Sequence, residues 1–139
     1  MGAVTDLVAV PSHLLTEAWP EVGPFLESMA SNSDGKFLAS DYAKAVVARD
    51  MQLWAALKDG VPTGVALTEI LNYPRQTVGR FVGANGKGAG ESAAHIEVIE
   101  RWAKINKVAR MEIICAPGWE FHLRKFGYKR THVLVEKAL

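Results

Sequence analysis

The most constraining stretch of the sequence is its middle. Residues 51–57 end in the apolar run Leu53-Trp54-Ala55-Ala56-Leu57, Lys58-Asp59-Gly60 follows, and residues 61–71 are again largely apolar. Asp-Gly between two such runs signals a two-residue hairpin, because the primed turns that match strand twist need positive φ at both central positions. The chain is thereby committed to an antiparallel pair at its centre. Asn72-Tyr73-Pro74-Arg75 predicts a second reversal, with residues 76–82 as the third strand of the same meander. Gly64 within the second strand reads as a bulge or a point of close backbone approach.

Helical patterns flank the meander. The apolar run Leu7-Val8-Ala9-Val10 predicts a first strand, stopped by Pro11. Ser12 is placed as a helix N-cap, with Leu14, Leu15, Ala18 and Trp19 at helical spacing behind it. Pro20 and Pro24 predict a break or kink before the helix resumes at Phe25. Asn32-Ser33-Asp34-Gly35 is a loop by composition, and Ser40 opens a second helix with Ala43, Val46 and Val47 on its apolar side. The clearest helix follows the glycine-rich residues 83–90. There Ile96, Ile99, Trp102 and Ala103 form one stripe, while Glu97, Glu100, Arg101 and Lys104 face away. Residues 111–115 read as a strand, 119–126 as a short helix with Gly127 as its C′ residue, and 131–135 as a last strand. A meander entering a strand–loop–helix–strand unit predicts an α+β fold with a mixed, mostly antiparallel sheet flanked by helices, over one domain spanning 1–139.

Composition narrows the function classes. Sixteen Lys and Arg against fifteen Asp and Glu leave a net charge of +1, with no field to draw the chain onto nucleic acid or acidic lipid. Cys115 is the one cysteine, so no internal disulfide forms, and no Cys/His spacing suits a metal. No apolar run is long enough to span a bilayer and the start lacks signal-peptide character, so a cytoplasmic protein is expected.

The stretch that bears on chemistry is Asn85-Gly86-Lys87-Gly88-Ala89-Gly90, between a predicted strand and a predicted helix. Glycines let successive backbone N–H groups turn toward one point, and a helix N-terminus adds positive potential there. The segment reads either as an anion cradle suited to a pyrophosphate or as a plain flexible connection. It is not a P-loop, since Lys87 is followed by Gly88 rather than Ser or Thr.

Element order and loop together resemble a small GNAT-type acyltransferase domain, the fold that binds acetyl-coenzyme A. That family carries a (Gln/Arg)-x-x-Gly-x-(Gly/Ala) loop, which Asn85 to Gly90 match with Asn in first place. Ile99-Glu100-Arg101-Trp102-Ala103 is similar to its long helix and Phe126-Gly127-Tyr128 to its terminal Leu-Gly-Phe turn. More narrowly, Met51-Gln52-Leu53-Trp54, Thr68-Glu69-Ile70 and Tyr73-Pro74 resemble compact GNAT-like proteins of tailed phages and prophages. The resemblance implies acetyl-CoA as co-substrate, no metal, and an amine as acceptor. It implies a pyrophosphate cradle from Asn85, Gly86, Lys87, Gly88, Ala89 and Gly90, and a pantetheine-binding strand at Arg80, Phe81 and Val82. Glu69 becomes the general base, acting through a water. Lys36, Arg75, Arg80, Lys87, Lys107 and Arg110 are candidates to gather around the coenzyme's 3′-phosphate.

Two positions depart from the family. Leu123 stands where a tyrosine often protonates the leaving thiolate, and Ala116 where an asparagine opens the last helix. His122, beside the empty tyrosine position, reads as a surface histidine, and Cys115 as a small interior residue. An alternative therefore accompanies the enzyme reading: a catalytically degenerate phage structural or interaction protein, in the host cytoplasm or the virion. The apolar Val133-Leu134-Val135 also offers a strand for a homodimer or a phage protein partner.

Overall fold

The computed structural model describes residues 6–89 and 92–139. Five strands form one sheet in the order of the chain, β1 (Asp6–Val10), β2 (Met51–Lys58), β3 (Val61–Asn72), β4 (Thr77–Gly86) and β5 (Arg110–Ile113). The first four pair antiparallel, and β4 pairs parallel with β5. Helices α1 (Leu15–Ser31) and α2 (Ala39–Val47) cover one face, and α3 (Ala93–Ile105) with α4 (Pro117–Leu123) the other. The architecture is the predicted α+β arrangement.

The hairpin forms as its sequence requires, with Asp59 and Gly60 at φ 53° and 77°. Burial on both sheet faces explains why β2 is apolar without alternation: Leu53 and Ala55 meet α1 and α2, while Trp54 and Ala56 meet the α3 side. Trp54 Nε1–H donates to the buried Thr68 hydroxyl at 2.9 Å, and its ring meets Trp102 edge-on at 5.7 Å. Gly64 is a point of close approach beside a bulge, not the bulged residue itself. Thr63 bulges out where Ala56 faces Gly64 and Leu57 faces Pro62, and a Cβ on Gly64 would lie 2.8 Å from the Lys87 nitrogen.

Several expectations are corrected. Pro20 and Pro24 do not break α1, because both lie on its exposed face with Thr16, where the carbonyls they leave unbonded face water. Ser12 caps no helix; it starts a 3-10 turn, Ser12–Leu14, that leads into α1. In α2 the Asp41 carboxylate accepts the Leu38 N–H at 2.8 Å, and Tyr42 and Val46 are buried while Val47 is 60% exposed. β4 runs on through Gly86, four residues past its predicted end, because 83–86 continue the pairing with β3. Glu100 does not face away but accepts a hydrogen bond from Tyr128 at 2.8 Å. Residues 131–135 form no strand.

Candidate active site

β4 holds the site's geometry. β3 pairs along its whole length, from Gly64↔Gly86 to Asn72↔Thr77. On the other edge, β5 pairs only from Val78↔Arg110 to Phe81↔Ile113. Beyond Phe81 the pairing stops, because β5 ends at Ile113, and among the described residues no strand pairs with that side of β4. Val82 is the extra residue of a bulge, since Leu67 faces Gly83 and Thr68 faces Phe81. A bulge at the end of that pairing leaves the backbone of Val82 outside the β3 ladder. Arg80 and Phe81 thus lie within the paired stretch, and the free edge begins at Val82.

The glycine segment continues from that edge. Gly86 has φ 82°, and a Cβ there would lie 2.5 Å from the Thr63 carbonyl oxygen and 2.8 Å from the Phe25 ring, so only glycine fits. The Lys87 N–H donates to the Thr63 carbonyl at 2.8 Å, and the Thr63 hydroxyl donates to the Lys87 carbonyl at 3.0 Å. Lys87 is therefore tied to the sheet, with its N–H engaged there. Gly88, at φ 93°, turns the chain, and its carbonyl meets Nδ1 of the buried His95. Ala89 is buried among Ile96, Ile99 and Leu123. Ser92 caps α3, accepting the His95 N–H at 3.3 Å. Asn85 Nδ2–H donates to Ser28 Oγ at 3.2 Å, joining β4 to α1. Gly90, with its neighbour Glu91, lies outside the described residues.

A row of charges crosses the sheet below the end of that pairing. Glu69 on β3 faces Arg80 on β4, which faces Glu112 on β5. The Arg80 guanidinium donates to Glu112 Oε1 at 2.5 and 2.9 Å and lies 3.8 Å from Glu69. All three side chains are half-buried. Glu69 lines a cleft of about 680 Å³ with His13, Asp50, Gln52 and Asn72, and Arg80 lines a groove of about 830 Å³ along β5. The Glu69–Arg80 contact stands between the two openings.

The neighbouring residues are placed as follows. Tyr128 packs edge-on against Phe81 at 6.3 Å, and burial, reinforced by the bond to Glu100, raises its hydroxyl above the ordinary tyrosine range. Leu123 is buried in the core under α3, so that position supplies packing rather than a proton. Ala116 caps α4 without a side-chain bond. His122 is not a surface histidine: it is half-buried between Trp119 and Phe126, and its buried Nε2 has no hydrogen-bond partner among the described residues. Cys115 is half-buried, and burial, with Glu120 nearby, raises its thiol, which disfavours the nucleophilic thiolate. Of the basic residues, Lys36 pairs with Glu136 and Arg80 with two carboxylates. Among the described residues no three His, Cys, Asp or Glu side chains gather to hold a metal, and no helix is long and apolar enough to cross a membrane.

Sequence reasoning missed Glu112 and Tyr128. The first needs the β4–β5 register, which no local signal fixes, whereas the aromatic hydroxyl in Phe126-Gly127-Tyr128 was visible as a polar group entering a core turn.

No protein-family model matches the sequence, and neither does any curated protein. Solved structures do match in fold. A ribosomal-protein-alanine N-acetyltransferase from Brucella melitensis biovar Abortus 2308 superposes with a TM-score of 0.66 at 16% identity, covering 98% of each chain. A predicted acetyltransferase from Clostridium acetobutylicum, with acetyl-CoA, matches at TM-score 0.65 and 10% identity over 97% of this chain and 96% of that one. An aminoglycoside acetyltransferase from an uncultured soil metagenomic sample, in complex with sisomicin, matches at 0.69 and 7% over the same shares, 97% and 96%. The five-stranded sheet with its flanking helices is the fold these acetyltransferases share.

Proposed function

We propose that this chain is an acyl-CoA-dependent N-acyltransferase that moves an acetyl group to an amine by direct attack. The observation that carries the reading is the end of the β4–β5 ladder at Phe81 and Ile113, beside the bulge at Val82. An unpaired strand edge offers backbone hydrogen bonds to the amides of an extended pantetheine arm. The same edge leads through Gly86 to Gly88 and the first turn of α3, where backbone N–H groups and the helix dipole favour a pyrophosphate. Acetyltransferases of like fold, one of them with acetyl-CoA and one with an aminoglycoside, support acyl-CoA and an amine as the two substrates.

In this mechanism the amine nitrogen attacks the thioester carbonyl, a C–N bond forms, the C–S bond breaks, and CoA leaves as the thiolate. Glu69 takes the ammonium proton through a water, and Arg80 holds its carboxylate in place at 3.8 Å. The nitrogen gives up its second proton to solvent as the amide forms, and solvent protonates the thiolate, since Leu123 carries no proton to give. Alignment of the two substrates supplies most of the rate. Carried by a tailed phage or prophage, such an enzyme acts in the host cytoplasm. A second reading, a degenerate phage structural or interaction protein, draws on Leu123 and on the Lys87 N–H already bonded to Thr63.

Free thiol released from acetyl-CoA, followed across a panel of peptide N-termini, polyamines and aminoglycosides, tests the choice. Amine-dependent release supports the transferase. Release no faster than the protein-free blank with every amine favours the second reading.

A further inference from the structure

The arginines without an ion pair lie at one end of the sheet. β1 and β3 run toward that end and β2, β4 and β5 run away from it, so the links 11–14, 48–50, 73–76 and 106–109 come together there. The chain has seven arginines. Arg80, Arg101, Arg124 and Arg130 pair with carboxylates. Arg49, Arg75 and Arg110 have no ion pair among the described residues, and all three are exposed in or beside these links. Lys104 and Lys107, also exposed and unpaired among the described residues, lie where α3 reaches the same end. Arg75, Lys107 and Arg110 therefore do not gather about Lys87, which lies past the far end of β4. Opposing the five cations are Asp50 and, in the first turn of α1, Glu17. Arg49 and Lys107 follow α2 and α3 at φ 64° and 59°, where glycine is the residue that fits without cost. The field at a helix C-terminus favours a cation, but a cation one residue earlier gains it without the left-handed backbone.

Apolar side chains and a cleft accompany these cations. Leu14, Val47, Tyr73 and Ile105 are exposed at the same end, Ile105 at 75%. The cleft of about 680 Å³ lies here, with Val46, Ile70 and Trp102 lining it beside Asp50 and Glu69. We propose that this end of the sheet docks an acidic polypeptide segment, its carboxylates on Arg49, Arg75 and Lys107 and an apolar side chain in the cleft. A nucleic acid carries a phosphate at every step, and Asp50 and Glu69 would face one. A peptide can set an apolar or an amino group there instead. The concave cleft also suits a chain better than the flat face of a bilayer. One consequence rests on the transferase reading. Because Glu69 lines the same cleft, the acceptor amine belongs to a peptide or protein with Asp and Glu near the acetylated position. Amines of several positive charges, aminoglycosides and polyamines among them, are repelled by the five cations.

Fluorescence anisotropy of a labelled peptide alternating Asp or Glu with Leu tests the surface, against a Lys/Leu counterpart, oligothymidylate and phosphatidylserine vesicles. The acidic peptide should bind with a micromolar dissociation constant, more weakly as salt rises, and the Lys/Leu peptide should not bind. Arg49→Glu with Arg75→Glu should weaken binding about 10-fold or more. Lys58→Glu with Lys137→Glu, an equal change of net charge away from this end, should leave it unchanged. Arg49→Gly removes cation and strain together, so it should hold the peptide less tightly while melting no lower than the native protein. No binding at millimolar acidic peptide, equal losses in the two double variants, or tighter binding of oligothymidylate or vesicles overturns the proposal. Peptide binding needs no acetyl-CoA. A protein that holds the peptide yet releases no thiol with any amine loses the transferase reading and keeps the docking surface. Faster thiol release with polyamines than with acidic peptides overturns the acceptor class alone.

Discussion

The pinch between the β3 bulge and the start of the glycine segment yields a sharp stability prediction. Gly86 and Gly60 share a positive φ, 82° and 77°. A Cβ on Gly60 meets nothing within 4 Å, whereas on Gly86 it meets Thr63 O at 2.5 Å, Gly64 Cα at 2.6 Å and Phe25 at 2.8 Å. Alanine at either site takes a left-handed conformation at a cost of about 1–2 kcal/mol. At Gly86 it must also push two strands and a ring apart, adding about 1–3 kcal/mol. Gly86→Ala should therefore lose about 2–5 kcal/mol against about 1–2 kcal/mol for Gly60→Ala. Scaled to a chain of this length, the melting temperatures should fall by about 7–17 °C and about 3–7 °C. Thermal unfolding of both variants by circular dichroism measures the difference. A Gly86→Ala protein that melts no lower than Gly60→Ala refutes the close approach, and with it the anchoring of the glycine segment at Thr63.

Three further outcomes follow from single contacts. Thr68→Val leaves the Trp54 indole N–H buried without its acceptor and should cost about 1–3 kcal/mol in urea unfolding. The raised hydroxyl of Tyr128 means that the folded state holds its proton more tightly than the unfolded chain. That contribution is complete below the ordinary tyrosine range near about pH 10 and is lost as pH rises beyond it. Stability of the native protein should thus decline more steeply between about pH 9.5 and 11 than that of Tyr128→Phe, and parallel curves would contradict the assignment. Glu69→Gln should slow amine-dependent thiol release by about 100-fold with acetyl-CoA affinity unchanged, and an unaltered rate would leave Glu69 only its contact with Arg80.

The parts of the fold legible in the sequence are those set by local chemistry. Asp59-Gly60 dictates its turn, Gly127 takes the left-handed C′ position at φ 91°, and the Ile96–Ile99–Ala103 stripe buries as its spacing requires. What failed depends on distant surroundings. Pro20 and Pro24 are tolerated only because they share the exposed side of α1, which their own sequence does not reveal. Residues 83–86 look like loop yet pair, since β3 offers Leu67 to Gly64 as a continuing partner. Thr131 to Val135 have strand chemistry, yet they enter no ladder and lie along the groove beside β5. For the site, the glycine segment and Glu69 were visible as residue types. The Glu69–Arg80–Glu112 row and the end of the β4–β5 ladder arise from register across three strands, which no single segment encodes.

Titration of the purified protein with acetyl-CoA, paired with the Gly88→Asp variant, reads out whether the β4 edge and the glycine segment hold the coenzyme. A coenzyme site there gives a micromolar dissociation constant, about −8 kcal/mol, and a clear loss of affinity when a carboxylate is set against the pyrophosphate. Absence of both heat and thermal shift at millimolar acetyl-CoA, or equal affinity in Gly88→Asp, would contradict a coenzyme site at the end of the β4–β5 ladder.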